Sequence, residues 1–474
     1  MKKINLTLVL LCSIWIGQAQ KSTEKVLTSL DQQTAFYGNI AFQIWNYAEM
    51  GYQEEKSVEL LSKTLESEGF QIKMGVAGMP TAFVAEYGSG APIIAIMGEF
   101  DALPGLSQKA LPEKITDDKA AGHACGHHLF GTASTAAAIS LKNWLKDNKQ
   151  KGTIRFYGTP AEEGGSGKVY LTRAGMFNDV DVVLHWHPNS ANVANPGAAL
   201  ANKSAKFRFY GISAHAAAAP EKGRSALDGV ESMNYMVNMM REHIPSDVRI
   251  HYVITNGGKA PNVVPDFAEV YYYARHPQRD EVVKIFDRIV KAAEGAALGT
   301  GTRMDYEIIG GTHELLPNLT LQEVVYKNLQ KVSGYKYTAE EKIFAEKIAQ
   351  SLGNALDVKY VEGISPFDPN AKPGGSTDVG DVSYNVPTVG FGTATWVPGT
   401  AAHSWQAVAA GGTSIGIKGM MVAAKTLTIT GIELFQNPEL IKKARVEFEE
   451  RRGKDFQYVP LLGDREPALN YREN

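Results

Sequence analysis

The chain has 474 residues, 44% of them hydrophobic and 21% charged, which suits two or three folded domains and excludes a disordered or low-complexity protein. A formal net charge of -3 leaves no basic footprint for nucleic acid or an anionic membrane surface as partner.

At the start, Lys2 and Lys3 precede an apolar run from Ile4 to Ile16, and Gly17-Gln18-Ala19 puts small residues three and one before a cut. That build is expected to be a signal peptide over residues 1–19, making the protein exported, periplasmic or secreted. The run is short for a bilayer span, and no later apolar run reads as a transmembrane helix. Cleavage leaves Cys125 as the only cysteine. No internal disulfide is then expected, and a lone thiol in an oxidising compartment calls for burial or a metal.

Residues 23–48 carry Leu27, Leu30, Phe36, Ile40 and Ile44 at helical spacing, and a second amphipathic helix is predicted from Glu54 to Glu68, stopping at Gly69. Thr81 to Tyr87 reads as a strand. Pro92 to Met97 is a short continuous apolar run, the mark of a strand buried on both faces. A helix is predicted from Leu129 to Lys146, and strands over Thr153–Tyr157 and Val180–Leu184. Three strands hand over directly to acids or histidines: Glu99 and Asp101, Glu162 and Glu163, His185 and His187. In α/β sheets ligands sit at the carboxyl ends of strands.

From Ala198 the pattern changes to strand (Ala205–Tyr210), helix (Ser225–Arg241), two strands (Val248–Thr255, Phe267–Arg275), helix (Asp280–Ala297) and strand (Arg303–Ile309). The order βαββαβ is a split-βαβ, ferredoxin-like α+β unit. It reads as a lid and dimerisation domain over residues 198–312, inserted into an α/β catalytic domain with a mixed sheet flanked by helices, residues 20–197 and 313–474. Pro366 to Gly380 reads as a loop, and the polar tail from Arg451 is expected to be poorly ordered.

The chemistry centres on Gly122-His123-Ala124-Cys125-Gly126-His127-His128, which packs three histidines and a cysteine among small residues. Thiolate, imidazole and carboxylate are the side chains that hold first-row transition metals. Adjacent glutamates such as Glu162 and Glu163 suit a division of labour in which one binds metal and the other takes a proton from metal-bound water. His185 and His187 share a face if the strand continues through them, so spacing does not say which is the ligand. His403 lies in a small-residue turn. His215 follows the first lid strand among alanines, and Asn262 and Arg275 flank the lid's second hairpin, with Arg275 suited to clamp a carboxylate. Each also has a bland reading: a packed Cys–His pair, solvated acids, a backbone-bonded histidine, a surface charge.

Taken together, Gly122-His123-Ala124-Cys125-Gly126-His127, Thr159-Pro160-Ala161-Glu162-Glu163-Gly164, Ala214-His215-Ala216-Ala217, Ala260-Pro261-Asn262-Val263-Val264-Pro265 and the late His403 resemble the signatures of the aminoacylase and glutamate carboxypeptidase superfamily of metallohydrolases. The resemblance runs from about residue 25 to 435. Trp186-His187-Pro188, Gly375-Ser376-Thr377-Asp378-Val379-Gly380-Asp381 and His403-Ser404-Trp405 look most like the aminobenzoyl-glutamate utilisation branch.

The resemblance implies a metal-dependent amidohydrolase with two divalent ions per chain (zinc or manganese, with cobalt accepted), Cys125 bridging and His127, Glu163, His187 and His403 as further ligands. It implies Glu162 as general base, His215 as donor to the reacting carbonyl oxygen, Asn262 and Arg275 as substrate contacts, and Asp101 as an acid orienting the site from behind the ligands. It also implies a homodimer in which the lid of one subunit supplies His215 to the other. Two positions depart from the pattern. His128 stands where hydrolase relatives carry an acid. Glu99 stands where the peptidase branch has a histidine ligand, which leaves Cys125 and His127 to carry that side. The rivals are an exported metal- or peptide-binding protein without turnover, and an enzyme with Cys125 as nucleophile.

Overall fold

A computed structural model describes residues 23–472, positions 198 and 373 excepted; the expected signal peptide lies outside the described residues. Helical residues 23–32 lead into α1 (Thr34–Tyr47), followed by α2 (Glu55–Ser67), β1 (Gln71–Met74), β2 (Phe83–Ser89), β3 (Ile93–Gly98), α3 (His127–Asn148), β4 (Gly152–Gly158), α4 (Gly167–Arg173), β5 (Val182–Leu184) and β6 (His187–Asn189). After the lid come α7 (Leu319–Val332), β11 (Thr388–Val389), β12 (Gly392–Ala394), α8 (Ser414–Gln436) and α9 (Pro438–Arg452), with shorter helices between them.

The catalytic sheet is six-stranded and mixed, in the order β1-β2-β4-β3-β5-β11. The last four strands run parallel, and β1 and β2 are antiparallel to their neighbours. Alternation along β3 sends Ile94 and Ile96 into one core with α1, α2, α3 and α8, and Ala95 and Met97 into another with α4. A strand buried on both faces must be apolar throughout, as this one is. Four parallel strands therefore open their carboxyl ends on one edge of the sheet.

By length and composition α8 is apolar enough to cross a bilayer, contrary to the sequence reading, but 89% of its most apolar stretch is buried inside the protein. Its apolarity serves packing against α3 and α7.

Residues 201–312 form a separate four-stranded sheet from β7 (Ala201–Tyr210), β8 (Arg249–Asn256), β9 (Phe267–His276) and β10 (Arg303–Thr312), in the order β8-β9-β7-β10 with every neighbour antiparallel. The helices α5 (Ala226–Met240) and α6 (Arg279–Thr300) cover one face through Phe207, Phe209, Met233, Val270 and Ile289. In β9 every second residue is buried, the pattern of a sheet with one covered face.

The tail beyond α9 is not loose, which corrects the sequence reading. The Tyr458 hydroxyl donates to Asp381 at 2.8 Å, Leu461 and Leu462 are buried, and Arg465 donates to the Ile309 carbonyl at 2.8 Å. The Tyr471 hydroxyl then reaches the Glu163 carbonyl at 3.1 Å. Tail side chains that read as solvated are matched to catalytic-domain and lid groups, partners that composition does not reveal.

Candidate active site

Glycines set the site's spacing. A Cβ on Gly131 would lie 2.7 Å from the Glu99 carbonyl oxygen, and one on Gly98 would strike Phe156. Their absence lets the first turns of α3 press against the end of β3, so that His127 meets Glu99 and Asp101. Gly126 precedes α3 with φ +78°, a left-handed conformation that glycine adopts without steric cost.

Hydrogen bonds fix which ring nitrogen of each histidine faces inward. His127 Nδ1 lies 2.8 Å from Asp101 Oδ1. A carboxylate accepts, so Nδ1 carries the proton and Nε2 is left for a ligand role. His187 Nδ1 donates to the Pro188 carbonyl at 2.7 Å, leaving Nε2 3.4 Å from Cys125 Sγ. His403 sits at φ +61°, its backbone N–H donating to the Ala124 carbonyl at 2.9 Å and its Nε2 3.1 Å from Glu163 Oε1. The other Asp101 oxygen accepts the Glu163 backbone N–H at 2.9 Å, so one carboxylate ties two ligand loops together.

Three groups result, in each of which the ligand atoms lie within 4.8 Å of one another: Cys125, His127 and His187; Cys125, Glu163 and His403; Glu99, His127 and Glu162. Cys125 belongs to two of them. Glu99 Oε2, His127 Nε2 and Glu163 Oε1 are buried without a hydrogen-bond partner. With metal–nitrogen or metal–oxygen bonds of about 2.1 Å and metal–sulfur bonds of about 2.3 Å, ligands of one ion stand roughly 3.0–3.6 Å apart. The separations of these ligand pairs match that spacing, so the residues present fit two bound ions.

Burial pushes the Glu162 carboxyl well above the usual carboxylate range, with Glu99, Glu163 and Asp378 adding to it. Burial alone would raise Glu163 as well, but the His403 imidazole beside it and the nearby His127 hold it low. Burial lowers His187, and burial likewise pushes the Cys125 thiol up, the wrong direction for a nucleophilic thiolate acting unaided. Ala161 precedes the glutamates at φ +56°, and its N–H donates to buried Glu54 at 2.8 Å. A left-handed alanine costs about 1–2 kcal/mol, and here it aims the loop.

His185 belongs to none of these groups; a Cβ on Gly390 would lie 2.2 Å from its ring. The strand stops at Leu184, so the shared face expected for His185 and His187 does not form. His128 bonds the Gly411 carbonyl through Nε2 at 3.0 Å and also lies outside the groups. His215 and Asn262 are exposed on adjoining lid loops, bridged by the Ala216 N–H to the Asn262 carbonyl at 3.0 Å. Arg275 lies at the lid's margin, 3.4 Å from the Ser376 hydroxyl. No hydrogen bond among the described residues joins these three to the ligand cluster. Lys168, Asp378 and Glu54 do not stand out in the sequence, yet all three are buried at the site. A lysine inside an apolar helix was the available signal.

Parallel strand ends converging on thiol, imidazole and carboxylate ligands, with an unmatched glutamate among them, define a metal-dependent hydrolase. The chain belongs to the peptidase family M20/M25/M40, whose family model matches residues 95–410. It is 41% identical over 454 residues to one of the two kinds of p-aminobenzoyl-glutamate hydrolase polypeptide of Escherichia coli strain K12, covering 90% of this chain and 94% of that one. It is 30% identical over 436 residues to the Xaa-Arg dipeptidase of Mus musculus, covering 89% and 90%. Among solved structures, an aminobenzoyl-glutamate utilization protein from Klebsiella pneumoniae matches with TM-score 0.60 at 19% identity, covering 86% of this chain and 97% of that one. A dinuclear metal binding peptidase of the M20 family from Bacillus subtilis matches with TM-score 0.55 at 18% identity, covering 86% and 99%. The chain is a metal-dependent amidohydrolase.

Proposed function

We propose that the enzyme cleaves the amide bond of N-acyl or N-aroyl amino acids of the p-aminobenzoyl-glutamate kind, or of dipeptides, at a site for two divalent ions. The observation that carries this reading is that Cys125 is shared by two ligand groups while Glu162 stands in a third beside them. Cys125 would lie between the ions, with His127 and His187 on one side and Glu163 and His403 on the other. Zinc or manganese, with cobalt accepted, would supply Lewis acidity and an acidified water. Glu162 takes the proton from the attacking water and passes it to the leaving nitrogen, a task its raised proton affinity suits. His215 Nδ1 accepts the N–H groups of Ala217 and Ala218 at 3.2 and 3.1 Å, which leaves Nε2–H to donate to the carbonyl oxygen. Asn262 and Arg275 hold the substrate near the amide and at its carboxylate.

His215 and Asn262 reach a substrate through lid closure or from the lid of a second copy, and we read the enzyme as a homodimer through that domain. In support, Tyr252, Val253 and Ile254 are exposed on β8, an unpaired edge strand, and Met239 is exposed on α5. An exposed apolar edge invites pairing. The leader expected over residues 1–19 places the enzyme in the periplasm or outside the cell.

The test is turnover of p-aminobenzoyl-glutamate, N-acyl amino acids and dipeptides by metal-stripped protein, then after zinc, manganese or cobalt is restored. Release of a free amino acid only after metal is restored is expected. Bound metal without turnover of any substrate would favour a binding protein.

A further inference from the structure

Lys168 is completely buried, yet its ammonium lies 2.7 Å from Glu99 Oε1 and 2.8 Å from Asp378 Oδ1. Its backbone N–H donates to the other Asp378 oxygen at 2.9 Å. None of the three side chains is more than 2% exposed. Dehydrating such a triad is costly and is offset only by close, well-made contacts. One positive charge faces two negative ones, so the triad keeps a net negative charge. Its free end is Glu99 Oε2.

That oxygen is buried, has no hydrogen-bond partner, and lies 3.0 Å from His127 Nε2. The proton of His127 is on Nδ1, committed to Asp101. A carboxylate oxygen and an imidazole lone pair thus face each other at close range, which repels unless a cation lies between them. No aligned hydrogen bond joins the pair, and 3.0 Å is the spacing of two ligands on one ion.

We propose that Glu99 is a sixth metal ligand, sharing the ion of His127 through Oε2, and that Lys168 is the positioning residue that holds the other oxygen and turns this one inward. The inference rests on the two-ion reading above. It departs from the five-ligand set by adding an oxygen to the Cys125 and His127 side.

The test titrates metal-stripped protein with zinc against a competing chelator, and with cobalt while recording the visible d–d bands. The parent is expected to bind two ions. Glu99→Gln should weaken one of them by at least about tenfold and change its cobalt bands, leaving the other ion as in the parent. Lys168→Met should weaken the same ion. Because Lys168 acts through Glu99, the double variant Glu99→Gln/Lys168→Met should lose no more than Glu99→Gln alone. A merely structural lysine would instead give additive losses and unchanged bands. Glu99→Asp, which keeps the charge, carries the same comparison if the neutral variant fails to fold. Parent affinity and parent cobalt bands for both ions in the Glu99 variants would overturn the proposal while the two-ion reading stands. A parent that binds no ion would overturn both.

Discussion

Asp101 accepts the Nδ1–H of His127 at 2.8 Å and, with its other oxygen, the backbone N–H of Glu163 at 2.9 Å. Neither oxygen is left to touch a metal, so its work is orientation. An amide in its place accepts at only one end. Asp101→Asn is therefore expected to weaken metal binding by about 10- to 100-fold, with far-UV circular dichroism unchanged. Unaltered affinity in a chelator competition would refute this role.

The last residues should matter to the site although they carry no ligand. The Tyr471 hydroxyl and the Arg472 guanidinium both donate to the Glu163 carbonyl, and Tyr471 packs edge-on against Tyr52 with ring centres 5.6 Å apart. Tyr471→Phe with Arg472→Ala keeps the packing ring and removes both donors. The expected result is a severalfold fall in kcat with Tm shifted by only a few degrees, since one or two surface-proximal hydrogen bonds contribute about 1 kcal/mol each. Parent kcat would show that the tail supports the fold alone.

Asp381 offers a pH signature remote from the ligands. Burial pushes it up to about 7, although it accepts the His313 N–H at 2.9 Å and the Tyr458 hydroxyl at 2.8 Å. Between about pH 4 and 7 the folded chain keeps a proton there that the unfolded chain has lost, so this group's contribution falls as pH rises, by up to about 1.4 kcal/mol per unit. Burial pushes His313 down to about 4, and it acts in the opposite sense: its contribution falls as pH drops below about 6.5. The two trends offset each other in the parent. Asp381→Asn leaves the histidine trend exposed, so Tm should climb more steeply between pH 4.5 and 7 than in the parent. Parallel Tm curves would contradict the assignment.

Much of the catalytic domain is legible in the sequence because its strands are buried on both faces. Ile93–Gly98 is apolar without a break, and the handover from strand to acid or histidine repeats three times. Cys125, His127, Glu163, His187 and His403 stand out as chemistry, and the fold brings their side chains together. Glu99 escapes notice as a ligand because residue type alone, a glutamate in place of a histidine, argues against it. Lys168 and Asp378, 210 residues apart, have no local pattern that pairs them. The tail misleads for a related reason: its partners are distant backbone carbonyls and buried acids, and composition is blind to both.

The lid edge gives a test of assembly. Val253 is 56% exposed on β8, the outermost strand. A charge there blunts edge pairing. Val253→Lys is expected to run as a monomer by light scattering and to lose activity in step with the dimer. A monomeric parent would dismiss the shared-lid account.

The most direct test of the whole account is Glu162→Gln, with metal content and turnover measured on the same sample. The variant should hold as many ions as the parent, because Glu162 is the proton carrier and not one of the ligands, while turnover falls by about 10²- to 10⁴-fold. Near-parent turnover with metal in place would show that another group takes the proton from water.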